Sequence, residues 1–130
     1  MFLNQLTLEQ KKAFLAIALK IINADGRLDS RERTMVEAMR YEMSLWDDSD
    51  LPKGYIEDLS KPFDTHKSRV ILLIEGIALA YADEEFSGDE QKILRELALI
   101  FEFSEEEATK IENWVLRFKD LQKEAVEMFS

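Results

Sequence analysis

The chain has no cysteine and a single histidine, His66. The first absence removes disulfides, thiol nucleophiles and thiolate zinc sites together. The second removes most imidazole chemistry, and the residue three before His66 is Phe63 rather than Glu. A ferritin-like carboxylate–histidine di-iron site therefore has no ligands here. Glycine and proline are also scarce, at four and two, so long helices meet few interruptions. No apolar run is long enough for a bilayer: the most apolar one, Val70 to Ala82, is short and contains Glu75. Met1-Phe2-Leu3-Asn4-Gln5-Leu6 lacks the basic flank and apolar core of a secretory signal. These features set the expectation of a cytoplasmic protein with no membrane span. No Gly-rich phosphate loop, zinc ligand set or Ser–His–acid order is present, so the expectation is a protein that is not an enzyme.

What is present is a surplus of acid. Among 130 residues, 27 Asp and Glu face 17 Lys and Arg, a net charge of −10. The surplus is uneven, for residues 83–130 carry −8 and residues 1–82 only −2. Such a surface repels nucleic acid and attracts cations or a basic partner. The apolar share of 46% fits a folded domain, and the length fits one domain over residues 1–130.

The acid concentrates in a stretch that occurs twice. Ala24-Asp25-Gly26-Arg27-Leu28-Asp29-Ser30-Arg31-Glu32 returns 58 residues later as Ala82-Asp83-Glu84-Glu85-Phe86-Ser87-Gly88-Asp89-Glu90. Each copy follows an apolar helix and opens another. At the same offset Leu19 meets Ile77, Met35 meets Ile93, Val36 meets Leu94 and Met39 meets Leu97. This pattern predicts an all-α bundle of about six to seven helices, built from two related helix pairs with pseudo-two-fold symmetry. Repeat one covers about residues 7–46, a connector about 47–64, repeat two about 65–103 and a C-terminal helical region about 104–130.

Four capping boxes punctuate the chain: Thr7/Gln10, Asp29/Glu32, Ser87/Glu90 and Ser104/Glu107. The first helix is expected to stop near Asp25, with Gly26 in a left-handed turn. The second should end near Leu45 or Trp46, and its Met35, Met39 and Met43 either fill the core or line a soft partner-binding groove. In the connector, Asp50 is expected to cap a short helix over Pro52 to Leu59, with Tyr55, Ile56, Leu59 and Phe63 to bury. Asp64 or Thr65 then caps the apolar helix, which is placed at the centre because it is apolar nearly all round. Gly76, Ala78 and Ala80 would admit close neighbours. Glu75 needs a rim position or pairing with Arg or Lys. The last stripe, Ile111 to Phe129, fits one long helix or two abutting ones. If it overhangs the body, its apolar face needs a protein partner or a second copy of the chain.

Glu32 and Glu90 are explained as capping-box members near a positive helix end. Asp25 and Asp83 sit where the helix dipole disfavours an anion. An Asx turn accounts for them without an ion, and so would a bound hard cation. The candidate ligands are Asp25, Asp29 and Glu32 in one turn and Asp83, Glu85, Asp89 and Glu90 in the other, with Ca2+ or Mg2+ as the candidate ion. Neither turn is an EF-hand loop, since Val36 and Leu94 stand where the bidentate Glu belongs.

An apolar helix, Ala-Asp-Gly, an apolar residue two on, then a capping residue and Glu: this resembles the TerB-like tellurite-resistance family, which carries a doubled motif of this sort. The second copy resembles it over more of its length, through Gly76 to Asp83, Phe86, Asp89-Glu90, Arg95-Glu96-Leu97-Ala98 and the Phe103-Ser104 cap. The likeness spans roughly residues 10–115. Glu84 departs from it, standing where the family usually has Gly. The resemblance implies a helical, non-enzymatic domain linked to stress proteins and a candidate divalent-metal binder. A similar domain in membrane-anchored co-chaperones implies docking as the alternative role.

Overall fold

The computed structural model describes residues 1–24, 30–82 and 88–130. Six α-helices and two 3₁₀ turns make up its regular structure, and there is no strand among the described residues. The helices are α1 (Leu8–Asn23), α2 (Ser30–Met43), α3 (Ile56–Leu59), α4 (His66–Ala80), α5 (Gly88–Ile100) and α6 (Glu105–Phe129). The all-α expectation holds.

Helix α4 is the axis. It packs against α1, α2, α5 and α6, which is what an apolar circumference requires. Leu72, Leu79 and Ala80 are wholly enclosed, alongside Phe14, Leu15, Ile17 and Ile21 of α1. Gly76 has a packing reason, because a Cβ there would meet Leu94 Cδ2 of α5 at 3.0 Å.

The doubling is visible in the caps. Thr7 and Thr65, 58 residues apart, each accept from the backbone N–H three residues on. Gln10 and Ser68 return the bond to the cap residue's own N–H. Helices α2 and α5 begin 58 residues apart, at Ser30 and Gly88. Past their ends, Ser44 and Glu102 take left-handed φ of 57° and 59°. There Leu45 N–H bonds Arg40 C=O at 3.1 Å and Phe103 N–H bonds Ala98 C=O at 3.0 Å. Both are Schellman endings, again at the same offset.

Several local expectations are corrected. Helix α1 ends at Asn23, close to the expected stop near Asp25, whereas α2 ends at Met43, short of Leu45 or Trp46, since the left-handed Ser44 stops it. The connector helix is only Ile56–Leu59, because Gly54 at φ 133° turns the chain before it. Asp50 lies inside a 3₁₀ turn capped by Asp47, not at a helix start. Ile56, Leu59 and Phe63 are buried but Tyr55 is exposed. Thr65, rather than Asp64, caps α4. The last stripe is one helix of 25 residues. The caps of the second and third capping boxes, Asp29 and Ser87, and the turn glycine Gly26 lie outside the described residues.

Candidate functional site

Of the seven acidic candidates, Asp25, Asp29, Asp83 and Glu85 lie outside the described residues. Glu32, Asp89 and Glu90 are described. Glu32 and Glu90 hold the third position of α2 and α5, and they are 2% and 1% exposed. Two carboxylates enclosed this fully, at matching places in the two halves, are unusual for the residue type. A helix N-terminus offsets part of the desolvation of each. Asp89, one residue before Glu90, is exposed.

The flanks of the two turns converge. Ala24 precedes the first turn and Asp89 follows the second, and both line one surface depression of about 490 Å³ together with Lys20, Glu57, Lys92 and Glu96. On the other side, Ala82 before the second turn and Met35 on the helix after the first line a second hollow. Spatial proximity of the flanks was not readable from the sequence. Glu96 in the depression has its carboxyl raised above the ordinary value by burial first, then by a hydrogen bond to Glu57 and that residue's charge. Among the described residues, no group of three or more His, Asp or Glu side chains is arranged to hold a metal ion.

The methionines divide. Met39 and Met43 are buried in the core, while Met35 is only partly buried and packs against it. Met35 and Met39 line an apolar hollow of about 470 Å³ between α2, α4 and α6; Met43 does not.

Glu75 is the buried acid that the sequence left needing a partner. It is 4% exposed, and among the described residues it forms no ion pair with Arg or Lys. Its Oε1 accepts the Phe2 N–H at 2.9 Å and faces the Met1 amine at 3.0 Å. Glu42 Oε2 meets the same amine at 2.9 Å. Burial works to lower the pKa of that amine, but the hydrogen bonds and charges of Glu42 and Glu75 outweigh it and raise the net value. Sequence reasoning could not find this pairing, because 73 residues separate the partners and one of them is a backbone group. Nearby, Tyr81 O–H donates to Glu112 Oε1 at 2.7 Å, which ties the end of α4 to α6. Lys119 donates to the Tyr81 carbonyl and stands 5.8 Å from its ring centre.

No curated protein and no solved structure matches the chain. A family model described as tellurite resistance protein TerB matches residues 49–113. That range takes in the connector from Ser49, α3, α4, the second turn, α5 and the start of α6. It begins later than the resemblance read from the sequence and leaves out the first copy of the motif. The matched half holds the central helix and the second acidic turn together, and by it the chain belongs to the TerB family.

Proposed function

We propose that the chain is a non-catalytic TerB-type helical domain that takes one divalent cation at its doubled acidic turns and serves a tellurite or other stress response. The observation that carries the reading is the convergence of the turn flanks, Ala24 and Asp89 on one depression, beside two fully enclosed glutamates at matching positions. In this reading the two turns pool carboxylates from both copies, because a hard cation needs several oxygen ligands. The cation would also offset the dipole that disfavours Asp25 and Asp83. The tellurite link rests on the family description alone.

Calcium and magnesium titrations followed by thermal melting test it. Ion binding to the folded state raises Tm with concentration, by about 2.7 kcal/mol of stability at one hundred times Kd. Asp25→Ala and Asp83→Ala should each abolish the rise. A wild-type Tm that stays flat through millimolar calcium and magnesium would overturn the reading.

A further inference from the structure

The hollow of about 470 Å³ between α2, α4 and α6 has the size of a small-molecule pocket, for which about 300–1,000 Å³ is usual. Its walls are apolar. Met39 and Val115 are buried, and Met35 and Ala78 pack against the core beside them. Phe118 completes the wall on α6, and Trp114 stacks on it at 5.6 Å. Two methionines give this wall tolerance of shape, because the unbranched thioether side chain adapts to what it covers. Such a wall suits a flexible hydrocarbon chain.

The charged groups that line the hollow are the Met1 amine, Glu42, Glu75 and Lys119. The carboxylates are engaged: Glu42 and Glu75 both meet the Met1 amine, and Glu75 also takes the Phe2 N–H. Neither forms an ion pair with Lys119. The partners of Lys119 among the described residues are the Tyr81 carbonyl and the Tyr81 ring, and both are neutral. The carbonyl takes one of the three ammonium donors and leaves the others to be met. Tyr81 ends α4, but the negative end of a helix dipole is worth about half a charge, against the full charge of an ammonium. The hollow thus pairs an apolar wall with one cation that lacks a full counter-charge among the described residues.

We propose that the hollow binds a small single-chain aliphatic carboxylate. The carboxylate meets the open donors of Lys119, and the hydrocarbon chain lies along Phe118 and Val115 toward Met35 and Met39. A charge-assisted pair holds the head, and apolar burial holds the tail. An ammonium head is disfavoured, because it would face Lys119 while Glu42 and Glu75 are already engaged by the Met1 amine. Glu32, Asp89 and Glu90 do not line the hollow, so this site needs no metal ion and does not rest on the cation reading.

The probes are decanoate, 1-decanol and decylammonium, each kept below the concentration at which it aggregates. Binding is measured by calorimetry and by Trp fluorescence, to which Trp114 contributes at the wall, on wild type, Lys119→Gln and Ala38→Phe. Gln keeps a donor for the Tyr81 carbonyl and removes the charge. Ala38 is exposed and lines the hollow, so a phenyl ring there narrows it without entering the core. Expected on wild type is decanoate bound tightest, decanol more weakly and decylammonium weakest. Lys119→Gln should cost decanoate about tenfold and leave decanol unchanged. Ala38→Phe should weaken both. Decanoate that fails to bind wild type, or that binds no tighter than decanol, would overturn the proposal. So would decanoate binding that either variant leaves at the wild-type level. Should Lys119→Gln melt early, the order of the three probes on wild type and the Ala38→Phe result still decide.

Discussion

The two halves of the molecule share a backbone plan and differ in what they place inside it. Thr7 and Thr65 start the first helix of each half, Glu32 and Glu90 are enclosed in the second, and Ser44 and Glu102 end it. The plan is therefore carried by caps and ends, not by identical cores. Inside, Ile17 of α1 corresponds to Glu75 of α4, and both are buried. Beyond Ser44 and Glu102 the halves part company: one runs into a 3₁₀ turn and the short α3, the other into the long α6. A buried carboxylate is tolerated where a neighbouring segment brings donors, and the segment at Met1 and Phe2 brings them to Glu75 of α4.

The largest expected effect comes from exchanging that pair of side chains. Ile17→Glu puts a carboxylate into a wholly enclosed apolar site that presently holds an isoleucine. The cost is about 4 kcal/mol or more, a large part of the stability of any domain this size. Glu75→Ile leaves the Phe2 N–H without its acceptor, at about 1–3 kcal/mol. It also gains apolar burial, about 1.5–3 kcal/mol for such a side chain. The variant should lie within about 2 kcal/mol of wild type in urea unfolding. If the two substitutions are equally damaging, donors near Glu75 are not what separates the halves.

Helix positions, the centrality of α4 and the doubling were legible because each rests on local or periodic chemistry: caps such as Thr7 and Ser104, and apolar spacing. The left-handed endings were not. The usual signal is Gly or Asn, and here the residues are Ser44 and Glu102. The residues that follow them, Leu45 and Phe103, explain why: both pack against the core, and that contact offsets the roughly 1–2 kcal/mol of a left-handed residue. Met39 and Met43 read as core first, with a groove as the alternative, since periodicity reports a buried face without saying what buries it. Of the candidate site, the sequence named Glu32 and Glu90 but assigned them to capping, which does not require near-total enclosure. That Ala24 and Asp89 line one depression is a long-range arrangement that no local pattern encodes.

A smaller difference lies where the first helix of each half ends. The Asn23 side chain bonds back to Leu19 C=O of its own helix at 2.7 Å. Its counterpart Tyr81 reaches across to Glu112 on α6. Tyr81→Phe should cost on the order of 1 kcal/mol. Burial, then the hydrogen bond and charge of Glu112, push the Tyr81 phenol from 10.0 to about 12. A folded value above the unfolded one means that this stabilisation is complete below pH 10.0 and is lost as pH rises toward about 12. Ultraviolet titration should show a phenolate step near the upper value that is missing in Tyr81→Phe; an unchanged titration would detach the tyrosine from α6.

The smallest effect concerns Glu96, whose counterpart in the first half is Ala38. Glu96 on α5 faces Glu57 on α3, so two carboxyls stand in contact where these helices meet, and the counterpart position 38 offers no carboxyl. Burial, with Glu57 adding to it, raises the Glu96 carboxyl above its ordinary 4.5. The protonated form is therefore the favoured one in the fold. Its contribution is present below the ordinary carboxylate value and is lost as pH rises through the raised one. Glu96→Gln keeps the shape and a hydrogen-bond donor and removes the charge. The variant should be more stable than wild type at neutral pH by about a few tenths of a kcal/mol, since the pair is near solvent and screened. The advantage should shrink in acid as wild-type Glu96 takes up its proton. Melting temperatures of the two chains, compared from acid to neutral pH, measure it directly. A gap that stays constant with pH, or a variant less stable at neutral pH, would show that the two carboxyls do not repel and that this joint is as neutral as the one at Ala38.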